Sequence, residues 1–236
     1  ISDFIFNHFT GVNRTVFASD TLPLPNVYPG MLTLVLILLI FMNKKINLKF
    51  KIMSLLIILF FFFSFNVTTF DFVWHAFHVP NDLPYRYSFI YVFILITLGY
   101  YSILRIKDVN IFMLSISFGI IFILVLVSNK LGFENINDTK TIICLILLVL
   151  YYLIIILFKI KGNKRLIYSI FTITVMFEAI YGICINWDIN HDIKNFMSDK
   201  KPYQSLISKI KKDDNDLYRI EKTDYLTLND GAWYNY

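Results

Sequence analysis

Residues 66–87 read N-V-T-T-F-D-F-V-W-H-A-F-H-V-P-N-D-L-P-Y-R-Y and gather arginine, histidine, carboxylate and amide side chains between two apolar runs. Arg86 carries a planar, permanently charged guanidinium, which suits bidentate contact with a phosphate. The plainer reading is an interfacial anchor whose stem lies in an apolar layer. Asp71, His75 and His78 share one face if the stretch is helical, at i, i+4 and i+7, and imidazole plus carboxylate ligands suit a divalent cation. Hydrogen-bonded interfacial groups are the simpler account of that spacing. Imidazole titrates near neutrality, so general base work by His75 is chemically reasonable.

Glu178 is the second candidate, because it lies well inside an apolar run. A charge near mid-membrane costs about 2.5–3.5 kcal/mol, so the side chain is expected to face a bundle interior or a wet cavity. Thr174, Glu178, Tyr181 and Gly182 fall on one helical stripe. Either Glu178 lines a cavity or handles a proton, or it makes an interhelical hydrogen bond, with a tyrosine as natural partner. Cys144 and Cys184 both fall in apolar runs and read as small buried hydrophobes. No cofactor is expected, the Asp71, His75 and His78 cation site being the alternative. The sequons at Asn13, Asn66 and Asn137 mark either glycosylation or the chain's richness in Asn, Ser and Thr.

Six apolar runs must position these groups: residues 27–42, 52–65, 88–104, 109–127, 141–158 and 166–185. Most approach the ~20 residues that cross a ~30 Å hydrocarbon core, and the first two are short unless their flanks join in. Hydrophobic residues are 57% of the chain and charged residues 17%, and the mean hydropathy is +0.61. Runs apolar on every side, such as 32–41 and 142–158, exclude a single soluble core. Lys44, Lys45, Lys49 and Lys51 follow the first run, Arg105 and Lys107 the third, and Lys159, Lys161, Lys164 and Arg165 the fifth. The positive-inside rule makes those loops cytoplasmic and places both chain ends outside.

The expected fold is an all-α transmembrane bundle of six spans, followed by the start of an extracytoplasmic α/β segment. Residues 1–26 form an extracytoplasmic lead-in, 27–185 the transmembrane domain and 186–236 the opening of a soluble domain. Within the last, 203–212 reads as an amphipathic helix with Leu206, Ile207 and Ile210 on one side, and 217–221 as a strand. The net charge of +5 reflects loop bias plus a lysine-rich tail, so nucleic acid is not an expected partner. The chain starts at Ile1 rather than Met and stops at Tyr236 inside an apparently structured stretch, so a fragment of a longer protein is expected.

The stretch Trp74-His75-x-Phe77-His78-x-Pro80-Asn81-x-x-Pro84-Tyr85-Arg86-Tyr87-Ser88-Phe89 resembles the signature loop of the bacterial YfhO-type membrane proteins. Leu24-Pro25-Asn26-Val27-Tyr28-x-Gly30, Glu178 and Leu217-Tyr218-Arg219-Ile220-Glu221 agree with the same pattern. The resemblance implies a GT-C-type glycosyltransferase of the bacterial cell membrane. Such an enzyme moves a sugar from a polyprenyl-phosphate carrier to an envelope polymer of the teichoic or lipoteichoic acid type. It implies Arg86 at the carrier phosphate, His75 and Asn81 shaping the outer cavity, and Glu178 supporting that cavity from within. Asp82 stands near Arg86 where the family's loop usually has a small residue. The catalytic acid is expected in a large outer loop upstream of this chain. A flippase for the lipid-linked sugar and a non-catalytic scaffold are the rival readings. The flippase would need polar groups across the full membrane depth.

Overall fold

The computed structural model describes residues 5, 7–9, 25–78, 85–131, 136–160, 163–186 and 204–209, and the chain divides into two units, Ile1–Asn186 and Trp187–Tyr236. The first unit contains α1 (Met31–Met42), α2 (Leu48–Asn66), α3 (Thr68–Trp74), α4 (Ser88–Ile103), α5 (Ile111–Lys130), α6 (Asp138–Lys159) and α7 (Lys164–Asn186). A 3-10 turn, Ile106–Asp108, links α4 to α5. By length and composition α2, α5, α6 and α7 are long and apolar enough to cross a membrane, whereas α1 and α4 are apolar but shorter.

Each expected apolar run is helical, and polar residues set several boundaries. The side chains of Asn47, Asn110 and Asn137 accept the N–H groups of Lys49, Met113 and Lys140 at 2.9, 2.7 and 2.9 Å, capping α2, α5 and α6. Asn163 accepts from Arg165 at 3.1 Å before α7. Each cap satisfies a donor that the first helical turn leaves free, worth about 1 kcal/mol. Lys49, Lys51 and Lys140 therefore lie inside helices, and Lys159 ends α6.

The first helix begins late. Pro29 disfavours helical backbone at Tyr28, and Gly30 has φ 97°, a conformation that side chains resist. Helix α1 therefore runs for only 12 residues, about 18 Å. It packs on α4, α5 and α6. Its Met31, Val35 and Leu39 join Leu114 and Ile121 of α5 and Leu147 and Tyr151 of α6 in the main core. A Cβ built on Gly99 of α4 would lie 3.1 Å from Thr33 Cγ2 of α1. Such close approach is how membrane helices gain packing where water exclusion offers nothing.

Three connections meet at one end of the bundle. Lys45 Nζ lies 2.7 Å from Asp108 Oδ1, and Lys159 Nζ donates to the Val109 carbonyl at 2.5 Å. The loops expected to share one side are thus neighbours. In the second unit, residues 204–209 are helical, with Ile207 buried and Leu206 exposed. The expected strand at 217–221 lies outside the described residues, and none of the described residues forms a strand.

Candidate functional site

At the far end of α2 the chain turns at Val67 into α3, and the predicted i, i+4 pair forms there. His75 Nδ1 lies 2.8 Å from the Asp71 carbonyl oxygen and 3.4 Å from Asp71 Oδ1. A carbonyl can only accept, so in the neutral ring Nδ1 carries the proton and Nε2 the lone pair. Asp71 Oδ1 also accepts the Tyr85 backbone N–H at 3.3 Å, tying α3 to the segment that leads into α4.

The third expected metal ligand does not join them. Helix α3 ends at Trp74, and Ala76 and Phe77 adopt φ 54° and 61°. The helical face that would have carried His78 to i+7 stops there, and His78 is exposed. Among the described residues, no group of three His, Cys, Asp or Glu is placed to hold a metal ion.

An aromatic pile fixes this corner. The Tyr87 ring stacks between Phe65, 5.1 Å away at 6°, and Trp74, 4.7 Å away at 13°. Its hydroxyl donates to the Ser64 carbonyl at 2.7 Å. The ends of α2 and α3 and the start of α4 are thereby held by one stack. Burial, and after it the Asp71 carboxylate, push the Tyr85 and Tyr87 phenols up from their ordinary value. Both remain neutral hydroxyls. Arg86, between them, is exposed. Asn81 and Asp82 lie outside the described residues.

Glu178 is buried. Its Oε1 accepts the Met31 N–H at 2.7 Å and the Tyr28 hydroxyl, and its Oε2 accepts the Tyr151 hydroxyl at 2.5 Å. Sequence spacing anticipates a tyrosine partner but cannot choose one, since Tyr28 and Tyr151 stand 150 and 27 residues away. Gly30 offers no side-chain cap to α1. Glu178 supplies one from α7, where the helix N-terminus favours a carboxylate. A bare helix start after Pro29-Gly30 was the available signal. Thr174, on the same stripe, is buried, and the buried Tyr181 hydroxyl has no hydrogen-bond partner. Sequence reasoning also passed over His8, whose Nε2 lies 3.0 Å from the Tyr91 hydroxyl of α4.

The model of one protein family, described as bacterial membrane protein YfhO, matches residues 2–236. No curated protein and no solved structure matches the chain.

Proposed function

Because the chain belongs to the YfhO family of bacterial membrane proteins, we propose that it is part of an integral-membrane glycosyltransferase. In this reading the enzyme takes a sugar from a polyprenyl-phosphate carrier and adds it to a teichoic or lipoteichoic acid type polymer on the outer face. Helices α1 and α4 complete six spans with their flanks. The connection bearing Lys45 faces the cytoplasm, and residues 1–26 and 186–236 lie outside.

The observation that carries the reading is the concentration of polar chemistry at one end. The Asp71–His75 pair, the Tyr85–Tyr87 turn and exposed Arg86 adjoin where the chain enters α4. A membrane-embedded transferase needs its donor phosphate and acceptor hydroxyl held together at the boundary with water. Arg86 grips the carrier phosphate, and His75 and Asn81 shape the cavity. Glu178 acts at a distance, by fixing the segment that opens α1. A flippase would require a polar path through the whole depth, whereas the Glu178 carboxylate is taken up by Tyr28, Met31 and Tyr151.

The test is Arg86→Ala in the full-length protein. Transfer of labelled sugar to envelope polymer is expected to be lost while the protein still reaches the membrane. Wild-type incorporation in that variant removes Arg86 from the site.

A further inference from the structure

We propose that the cytoplasmic end of α7 carries a binding site for one anionic phospholipid of the inner leaflet. The proposal rests on the threading given above and is independent of the transfer chemistry at the other end. Lys164 and Arg165 head an open groove of about 730 Å³, lined among the described residues by these two, Tyr168, Ser169, Thr172 and Ile173. Lys164, Tyr168 and Thr172 follow one another at i, i+4 and i+8, and Arg165, Ser169 and Ile173 do the same in the adjoining row. The groove therefore passes from cation through hydroxyl to hydrocarbon over about 12 Å of helix. A phospholipid offers the complementary order along its own length: phosphate, glycerol ester oxygens, acyl chain.

The two cations are available for that phosphate. At the same end of the bundle Lys45 is paired with Asp108, Lys51 and Lys159 donate to the Phe41 and Val109 carbonyls, and Arg105 lies over the Tyr101 ring. Lys164 and Arg165 are exposed, and no carboxylate among the described residues pairs with either. The helix N-terminus itself is not the attraction, since the Asn163 side chain takes the Arg165 and Leu166 N–H groups at 3.1 and 3.4 Å. Recognition falls to the side chains: Arg165 forks onto phosphate oxygens and Lys164 adds a point charge. Below them the Tyr168 ring leans on Phe158 of α6, 6.1 Å away, and tyrosine favours the headgroup level. The Ser169 hydroxyl is spent on the Arg165 carbonyl at 3.0 Å, which leaves Tyr168 and Thr172 to donate to the ester oxygens. Exposed Ile173 meets the acyl chain. A basic pocket on the cytoplasmic side selects anionic headgroups by charge.

Native mass spectrometry of the full-length protein in detergent, titrated with phosphatidylglycerol or phosphatidylcholine, tests the site. One phosphatidylglycerol is expected to bind ahead of any phosphatidylcholine, and equal affinity for the two lipids overturns the proposal. Lys164→Gln combined with Arg165→Gln should weaken phosphatidylglycerol about 30-fold, the worth of two cations at a membrane surface. Lys44→Gln combined with Lys49→Gln removes the same charge from the same end and should change the affinity by less than about 3-fold. Equal loss in the two double variants shows general attraction rather than a site and is fatal. Thr172→Trp keeps both cations and fills the groove, so binding should fall. Unchanged affinity in that variant overturns the proposal even if the double variants fail to insert. Soluble glycerol phosphate should not displace the lipid, and displacement at equal concentration reduces the site to a phosphate-ion site. A second copy of the chain on this face would appear as a dimer that Thr172→Trp dissociates, and would also refute the lipid.

Discussion

Glu178 Oε1 lies 2.7 Å from the Met31 amide nitrogen, so α7 caps the start of α1 across the bundle. The same carboxylate receives the Tyr28 and Tyr151 hydroxyls, drawing α6 into the contact. Helices α1, α6 and α7 therefore meet at one acceptor group.

Replacing that group should destabilise the bundle in a graded way. Glu178→Leu takes this acceptor from the Met31 N–H and the Tyr151 hydroxyl, at about 1–3 kcal/mol for each group left unmatched. Glu178→Gln keeps one acceptor oxygen and should lose less. Thermal unfolding in detergent, followed by circular dichroism, checks the order: wild type, then Gln, then Leu. Equal midpoints would show the bonds to be unimportant.

Gly30 should tolerate substitution poorly. Its φ of 97° is strained for any L side chain, and a Cβ would sit 3.8 Å from both Glu178 carboxylate oxygens. Gly30→Ala is expected to cost about 1–3 kcal/mol. Gly119→Ala, with nothing within 4 Å of the new methyl, should be neutral or stabilising by up to about 1 kcal/mol. The two midpoints measured side by side give the comparison.

High pH should loosen the end of the bundle that carries Tyr85 and Tyr87. Both phenols titrate above their ordinary value in the folded chain. The stabilising difference is complete below the unfolded value, about pH 10, and is lost as pH rises through the folded values, because the unfolded chain binds fewer protons there. Tyr87→Phe should lessen this alkaline loss. At neutral pH it should cost about 1 kcal/mol through the missing bond to the Ser64 carbonyl, with the ring stack kept. Urea unfolding at neutral and alkaline pH reads both effects.

Opposite faces of the membrane should label opposite ends of the bundle. In a background with Cys144 and Cys184 replaced by serine, a cysteine at Lys45 should react with impermeant maleimide only from the cytosolic side. A cysteine at exposed Phe77 should react only from outside. Reaction of both from one side would contradict the threading.

Apolar runs made the helices legible, because a side chain facing lipid must be apolar whatever its neighbours. The ends were less so. Asn47 and Asn137 drew Lys49, Lys51 and Lys140 into helices, while Pro29 and Gly30 withheld four expected residues from α1. The Asp71–His75 pair was readable because i, i+4 spacing is local. His78 was misplaced because the end of α3 depends on the left-handed turn at Ala76 and Phe77. Tyr28 and Tyr151 were invisible as partners of Glu178, since no local period links residues in separate helices.

The ring pile of Phe65, Tyr87 and Trp74 has a practical consequence. Trp74 is one of three tryptophans, with Trp187 and Trp233. Replacing those two by phenylalanine leaves a single indole fluorophore stacked beside His75. Its emission colour and quenching would register any ligand that settles at this corner, with no attached dye.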